Sequence, residues 1–428
     1  MEPANPKTPP APEALRETAE RIGTPTYAYV EKRLRRQCER LRTLTHDLPA
    51  RLLYAVKANP NPAVLRVMRS EGLGLDVVSP GERVLAERLG FAPEQVLFSA
   101  NNLTDAEMRA AQESGVLLNI GERSRLEAFG QAFPGARVCL RLNPKVEAGH
   151  HEHVVTADAS SKFGIPAEEI ASARAVAEAH DLRVVGLHQH IGSGIRDVAP
   201  FERAVRVLLN AAETFPGLEF VNVGGGIGIP YRPDQEPLEA DRFQRAVGAP
   251  LRHFLEAHPS GGLSFWFEPG RFLVAEAGVL LVRVNTLKRA SGRVFAGTDS
   301  GMGHLMRPAV YGAYHGVYNL SNPEGPLKPY DVVGNVCEGG DVFARQRPVQ
   351  QIREGDLLAV LDAGAYGMAM ASTYNLRPLP AEVMIRPDGR LDLARRRRPP
   401  EELIDALLEA EETAATRSPT APASPAAY

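Results

Sequence analysis

Between residues 50 and 270 one alternation recurs: a short apolar run, then a charged stretch with apolar residues at helical spacing. The runs are Leu52–Val56, Leu75–Val78, Val96–Ser99, Val116–Ile120, Val138–Leu142, Val184–His188, Phe220–Val223 and Ser264–Phe267. The spacers include PAVLRVMRSEGL, PGERVLAERLG, DAEMRAAQESG and AEEIASARAVAEAHD, with Gly, Asp or Asn near their ends. Strands alternating with helices form right-handed parallel βα units. About eight of them predict a closed (β/α)8 TIM-like barrel. A doubly wound open sheet gives the same alternation, and periodicity does not separate the two.

After residue 275 the texture changes to VLLVRVNTL, RVFAGTD, DVVGNV, LLAVLDAGAY and AEVMIRP, separated by Gly, Pro, Asn and Asp turns. That pattern predicts a mostly antiparallel β-sandwich or barrel domain over 276–412, ending in a helix at PEELIDALLEAEE. The barrel is expected over 24–275. The run TPTYAYV (24–30) is free to join the β domain instead, because a closed barrel has no edge for it. Residues 1–23 are expected to be a mostly disordered arm, and the Pro/Ser/Ala/Thr tail 413–428 to be disordered.

Composition excludes several classes. Lys and Arg number 49 against 52 Asp and Glu, a net charge of -3, without the basic excess of a nucleic-acid binder. Three cysteines, Cys38, Cys139 and Cys337, are too few and too widely spaced for a disulfide framework or a zinc knuckle. A reducing cytoplasm is therefore expected. The N-terminus has no apolar signal region, and no apolar run is long enough to span a membrane.

In a βα barrel, functional groups gather at the C-terminal ends of strands. Five polar clusters fall directly after apolar runs: YAVKANP, DVVSPGE, LHQHIGSG, NVGGGIGIP and FEPGR. Lys57 lies between Val56 and Ala58, where desolvation makes an amine nucleophilic. An isolated lysine there is more often a snorkelling surface group, and the other clusters reverse that reading. Gly224, Gly225 and Gly226 let backbone N–H groups approach an anion, with help expected from a following helix N-terminus; alone they also fit a tight turn. Glu268 can pair with a protonated ring nitrogen, and Arg271 can clamp a phosphate or carboxylate; the plain alternative is a local ion pair. His188 and His190 share one strand face. No third ligand stands at useful spacing, so no metal is expected, and His190 can instead stack on an aromatic ring. His150, His151 and His153 lie in a loop read as solvated, and Arg395–Arg398 as a solvated surface patch.

Taken in order, YAVKAN, LDVVSPGE, SKFGI, HIGSG, NVGGGIGIPY, EPGRF, RPAVYGAYH, CEGGD and DAGAYGMAMASTYN resemble the alanine-racemase-like fold-type III pyridoxal-phosphate decarboxylases. The last three are similar to the diaminopimelate branch of that family. The resemblance covers residues 24–392 and implies an activity: decarboxylation of meso-2,6-diaminopimelate to L-lysine and carbon dioxide, the last step of lysine biosynthesis. It implies pyridoxal 5'-phosphate as cofactor and these roles. Lys57 carries the cofactor, with Asp76 nearby. His190 stacks on the ring and Glu268 pairs with its nitrogen. Ser193, Gly224, Gly225, Gly226, Gly270 and Arg271 surround the phosphate, and Tyr366 reaches cofactor and substrate. Arg271, Arg307 and Tyr311 hold the distal carboxylate and Glu338 the distal ammonium. Cys337 is the proton donor. Cys337 and Glu338 come from a partner subunit, so a homodimer is implied.

Three departures from the family pattern bear on substrate choice: Gly339 where Ser is usual, HIGSG where HIGSQ is commoner, and Ala157 where Gly follows the Thr. They keep open a related decarboxylase acting on D-lysine, D-ornithine or a carrier-bound glutamyl group. A non-catalytic cofactor-binding homologue is the third reading, and retention of Lys57 and Glu268 weighs against it.

Overall fold

The computed structural model describes residues 7–146, 161–258 and 262–415. His150, His151, His153 and Ala157 lie outside them, as do residues 1–6 and 416–428. The chain divides into two compact units. One comprises Leu34–Pro230 and Gln235–Ala275; the other comprises the residues up to Arg33, Tyr231–Asp234 and those from Glu276 onward.

In chain order the strands are β1 (Thr26–Val30), β2 (Ala50–Ala55), β3 (Gly74–Val77), β4 (Val96–Phe98), β5 (Leu117–Ile120), β6 (Arg137–Asn143), β7 (Ile165–Pro166), β8 (Arg183–Gln189), β9 (Phe220–Asn222), β10 (Ser264–Phe267), β11 (Gly278–Ala290), β12 (Arg293–Thr298), β13 (Val317–Asn319), β14 (Leu327–Val333), β15 (Val342–Gln350), β16 (Leu357–Val360), β17 (Ala381–Ile385) and β18 (Leu391–Arg395).

In the first unit β2, β3, β4, β5, β6, β8, β9 and β10 form a parallel sheet. Pairing of β10 with β2 and of β5 with β6 closes it into an eight-stranded barrel, which decides against the open sheet. The two-residue β7 adds to β6 outside the ring. Leu53, Leu97, Cys139 and Phe220 come from every second strand of that ring and share one buried cluster with Val185 and Trp266. Such a layer fills the barrel, so it is a packed core rather than a pore. Its fit is tight: a Cβ on Gly186 would lie 2.1 Å from Phe220 Cζ, and Phe220 stacks on Trp266 at 3.7 Å.

The second unit is mostly antiparallel, in the order β15-β14-β12-β11-β1-β17-β18, with β16 also on β11 and β13 on β16. Two pairs, β1–β17 and β12–β14, run parallel. β1 is an interior strand between β11 and β17, and every residue of it is buried. Its segment therefore belongs to this unit and not to the barrel.

The N-terminal arm corrects an expectation. Residues Pro12–Ile22 form a helix, not a disordered segment. Leu15 and Ala19 sit one turn apart and are buried in the core with Ala28, Val279 and Leu281. Pro12 opens the helix and Gly23 closes it through a bond from its N–H to Ala19 O. The Pro- and Ala-rich composition hid this stripe. At the other end, Pro400–Ala415 is helical, three residues beyond the expected bound, with Ile404, Leu407 and Leu408 exposed. Among the described residues, no helix is long and apolar enough to cross a membrane.

Candidate active site

The barrel unit gathers its polar groups at the C-terminal ends of its strands. Lys57 stands in the short turn Val56–Ala58 directly after β2, and its Nζ donates to Asp76 Oδ2 at 3.2 Å. Asp76, on β3, is fully buried, and burial followed by the charge of Glu268 pushes its carboxyl above the usual range. Glu268 follows β10. Its Oε1 accepts from His188 Nε2 at 3.0 Å and its Oε2 from Asn222 Nδ2 at 2.9 Å. Burial alone would push Glu268 up; the attraction and hydrogen bond of His188, aided by Lys57, outweigh it and hold the carboxyl at about 2. Two buried carboxylates are thus driven apart: Glu268 is held low, while Asp76 is pushed up against the opposing pull of Lys57 and His188.

His190 lies one residue beyond β8. Burial, reinforced by Lys57, pushes its imidazole well below the ordinary range, so it is neutral. Its Nδ1 accepts from Gly225 N–H at 3.3 Å. That tautomer leaves a flat, uncharged ring beside the glycine loop, as stacking requires.

Two loops make a cradle. Ile195 N–H donates to Gly226 O at 2.9 Å, and Gly228 N–H donates to Ile195 O at 2.8 Å. A Cβ on Gly224, Gly225 or Gly226 would lie 2.2, 2.5 or 2.6 Å from the carbonyl oxygens of Gln189, Glu268 and Gly192. Gly224 also holds φ +85°, which side-chain-bearing residues rarely adopt. The expected helix N-terminus is absent: after the triplet the chain bridges to Ile195, and the next helix begins at Ala240. Close backbone approach, not a helix end, is the reason for these glycines. Gly270 packs against Ala55 and Ala58, and Arg271 donates from Nε to Ser193 Oγ at 3.1 Å. Lys57, Asp76, His190, Ser193, Gly224, Gly225, Gly226, Glu268, Gly270 and Arg271 thus all belong to the mouth of one barrel.

Sequence reasoning missed most supports of this mouth and weighed His188 only as half of a metal pair. His188 is held between Glu268 and Asn119, whose Nδ2 lies 2.9 Å from His188 Nδ1 and 3.1 Å from Ser99 Oγ. Arg141 on β6 is buried, with its Cζ 4.9 Å from the Phe163 ring centroid. Asn222 serves Glu268 and also accepts from Gly224 N–H. Their signal is a polar residue inside an apolar strand run, as in LLNI, CLRLN and FVN. Among the described residues no three His, Cys, Asp or Glu side chains group as a metal site.

The β unit carries the remaining candidates. Arg307 opens the five-residue helix Arg307–Tyr311 and is buried; its Nη1 lies 2.9 Å from His315 Nε2 and 3.3 Å from Tyr231 Oη. Tyr311 and Tyr366 are half-buried, and Tyr366 holds φ +56°. Cys337 and Glu338 lie on an exposed turn. Asp341 pins it by accepting from Met302 N–H and Val336 N–H at 2.6 and 2.7 Å. Glu338 accepts from Tyr374 Oη at 2.7 Å, and Cys337 Sγ donates to Asn375 Oδ1 at 3.7 Å.

The barrel mouth suits pyridoxal phosphate. It offers an amine for an aldehyde, a carboxylate kept ionised for a ring nitrogen, a neutral imidazole for the ring face, and a side-chain-free cradle with Ser193 and Arg271 for the phosphate. That combination defines a pyridoxal-phosphate enzyme built on a barrel, and comparison with known proteins agrees. Residues 31–275 match the family described as pyridoxal-dependent decarboxylase, pyridoxal binding domain. The diaminopimelate decarboxylase of Methanothermobacter thermautotrophicus is 43% identical over 390 residues, covering 89% of this chain and 91% of that protein. A crystal structure of a diaminopimelate decarboxylase superposes with a TM-score of 0.83 at 34% identity, covering 92% of this chain and 96% of its own. The Helicobacter pylori diaminopimelate decarboxylase complexed with L-lysine gives 0.84 at 29% identity, covering 92% and 99%. The chain belongs to the diaminopimelate decarboxylase family of pyridoxal-dependent decarboxylases.

Proposed function

We propose that the protein is a carboxy-lyase that converts meso-2,6-diaminopimelate to L-lysine and carbon dioxide. Buried Arg307 carries the choice of substrate: a guanidinium fixed through Nη1 by two neutral side chains is built to receive a carboxylate. Lysine and ornithine decarboxylases act on substrates without a second carboxylate, and such a substrate would offer this guanidinium nothing to bind.

When bound, pyridoxal phosphate supplies the electron sink that decarboxylation needs. Lys57 holds it covalently. Glu268, ionised and doubly hydrogen-bonded, would pair with a protonated ring nitrogen. His190 covers the ring. Ser193, Arg271, Gly270 and the backbone of Gly224–Gly226 hold the phosphate. Asp76, 3.2 Å from Lys57 Nζ, would take up the proton that this amine gives up on bonding to the cofactor. Arg307 and Tyr311, with Arg271, orient the distal carboxylate, and Glu338 binds the distal ammonium. This far-end binding fixes which bond at the reacting carbon breaks. Tyr366 contacts cofactor and substrate, and Cys337 Sγ delivers the proton that replaces carbon dioxide. The exposed turn that carries Cys337 and Glu338 supports their action in a second subunit's site, hence a homodimer. Three free cysteines fit a reducing cytoplasm.

The decisive experiment is turnover of meso-diaminopimelate by the purified holoenzyme with chiral analysis of the product. Release of carbon dioxide with L-lysine is expected; no turnover, with activity on another amino acid, overturns the proposal. Gly339 favours one second reading, a shifted preference toward D-lysine, D-ornithine or a carrier-bound glutamyl group, which a substrate panel separates.

A further inference from the structure

We infer that His315 is a positioning residue for substrate recognition: a neutral imidazole that holds Arg307 in place without cancelling its charge. This rests on the proposed role of Arg307 and deepens it.

The local chain explains the contact. The helix Arg307–Tyr311 ends at Gly312, whose φ of +56° reverses the backbone, and Ala313 N–H returns a bond to Arg307 O. The reversal brings His315 back beside Arg307. The imidazole is fully buried, and its two nitrogens face different partners. Nδ1 lies 2.8 Å from Leu361 O, which only accepts, so Nδ1 carries the hydrogen. Nε2 therefore presents a lone pair, and the Arg307 Nη1 donor sits on it at 2.9 Å. Arg347 Nη1 donates to the His315 carbonyl at 2.6 Å and fixes the backbone. Tyr231 completes the holder: its ring stands edge-on to His315 at 5.7 Å and under the Arg307 guanidinium at 5.0 Å.

The choice of residue follows from electrostatics. An aspartate or glutamate at this position would hold Arg307 more strongly, yet would neutralise it before the substrate arrives. A lysine or an imidazolium would repel it. A neutral acceptor fixes the guanidinium and adds no counter-charge of its own. The Leu361 carbonyl enforces that state, because a hydrogen on both nitrogens would set a donor against the Arg307 donor.

The test compares two ligands of the holoenzyme. L-lysine keeps the carboxylate that Arg307 is proposed to bind, and cadaverine lacks it. In His315→Ala the dissociation constant of L-lysine, and KM for meso-diaminopimelate, should rise on the order of ten- to a hundredfold. The cadaverine constant and cofactor absorbance should stay unchanged. His315→Gln, whose amide can accept from Arg307 and donate to Leu361, should restore most of the affinity. Parallel weakening of both ligands, no change in either, or no restoration by His315→Gln overturns the inference. If His315→Ala does not fold, His315→Asn decides on the same comparison, since its shorter amide cannot reach both partners. Wild-type holoenzyme that does not turn over diaminopimelate overturns the proposed function itself. An active wild type with an unaltered variant overturns only the role of His315.

Discussion

His188 Nε2 lies 3.0 Å from Glu268 Oε1, and both side chains are closed off from solvent. Asn119 Nδ2 donates to the other ring nitrogen of His188, so the imidazole hydrogen points at the carboxylate. Asn222 supplies the second donor to Glu268. The carboxylate is thus held by side chains from three different strands, β5 acting through β8, and β9 directly. It is a preorganised charge, fixed before anything binds opposite it.

His188→Leu should therefore damage catalysis more than binding. Without its donor, Glu268 loses the largest influence that keeps it ionised, and burial drives it upward. The expected fall in kcat is on the order of a hundredfold, with KM for diaminopimelate changed far less. Glu268→Gln should lose more, because the charge itself is gone. Steady-state kinetics on cofactor-saturated protein check this. Equal loss in kcat/KM through KM alone would show that His188 serves binding and not the electron sink.

The barrel and the polar clusters at its mouth were legible because each cluster closes an apolar run, and such runs end at one rim. Lys57, Glu268 and the glycine triplet all follow that rule. His188, Asn119, Asn222 and Arg141 lie inside the runs. Whether an in-strand polar residue faces the barrel lumen, and what it meets there, depends on register across strands distant in sequence. The Pro12–Ile22 helix was lost for another reason: its apolar stripe is short, and it is stable only because β1 and β11 give Leu15 and Ala19 a surface to cover. The tautomer of His315 is not written in the sequence, since it is set by the atom opposite each nitrogen.

Asp362 makes the β unit sensitive to pH. It is buried at the start of the DAGAYG segment, with Lys7 Nζ 3.0 Å away. Burial above all, opposed by Lys7 and reinforced by Glu276, raises its carboxyl from 3.8 to about 6. Arg33, paired with Glu276 at 3.1 Å, faces the same cluster. A raised acid binds its proton more tightly in the folded state. Its stabilising contribution is complete below about pH 4 and is lost as pH rises through about 6, up to about 3 kcal/mol from two pKa units. Asp362→Asn does not titrate. Relative to wild type, its Tm should improve between pH 4.5 and pH 7.5, and a constant difference would contradict the assigned protonation.

Gly225→Ala should empty the cofactor cradle while sparing the barrel. The added Cβ meets Glu268 O at 2.5 Å, a backbone atom that cannot swing aside. Relief requires the 224–228 loop or the Glu268 backbone to move, which misplaces the Glu268 charge and the glycine cradle together. Cofactor affinity should fall roughly five- to a hundredfold, for a strain of about 1–3 kcal/mol. Titration of apoprotein with pyridoxal phosphate, read by absorbance, measures this, with circular dichroism confirming an intact fold. Unchanged affinity would place the phosphate elsewhere.

Gly339→Ser tests whether the departure in the CEGGD turn has a functional cost. The turn is exposed, Gly339 does not occupy the left-handed region, and a Cβ there meets nothing within 4 Å. No steric reason excludes serine, so stability should stay within the range of an inert surface change, ~0.5 kcal/mol, read by thermal melts. If Glu338 binds the distal ammonium as proposed, a neighbouring hydroxyl adds one acceptor for it. A hydrogen bond worth about 1 kcal/mol should lower KM for meso-diaminopimelate roughly fivefold. Turnover of D-lysine should not improve in parallel. The reverse pattern, in which serine suppresses activity on a D-amino acid that wild type prefers, would show that Gly339 sets a different substrate and that the distal-ammonium role of Glu338 is misassigned.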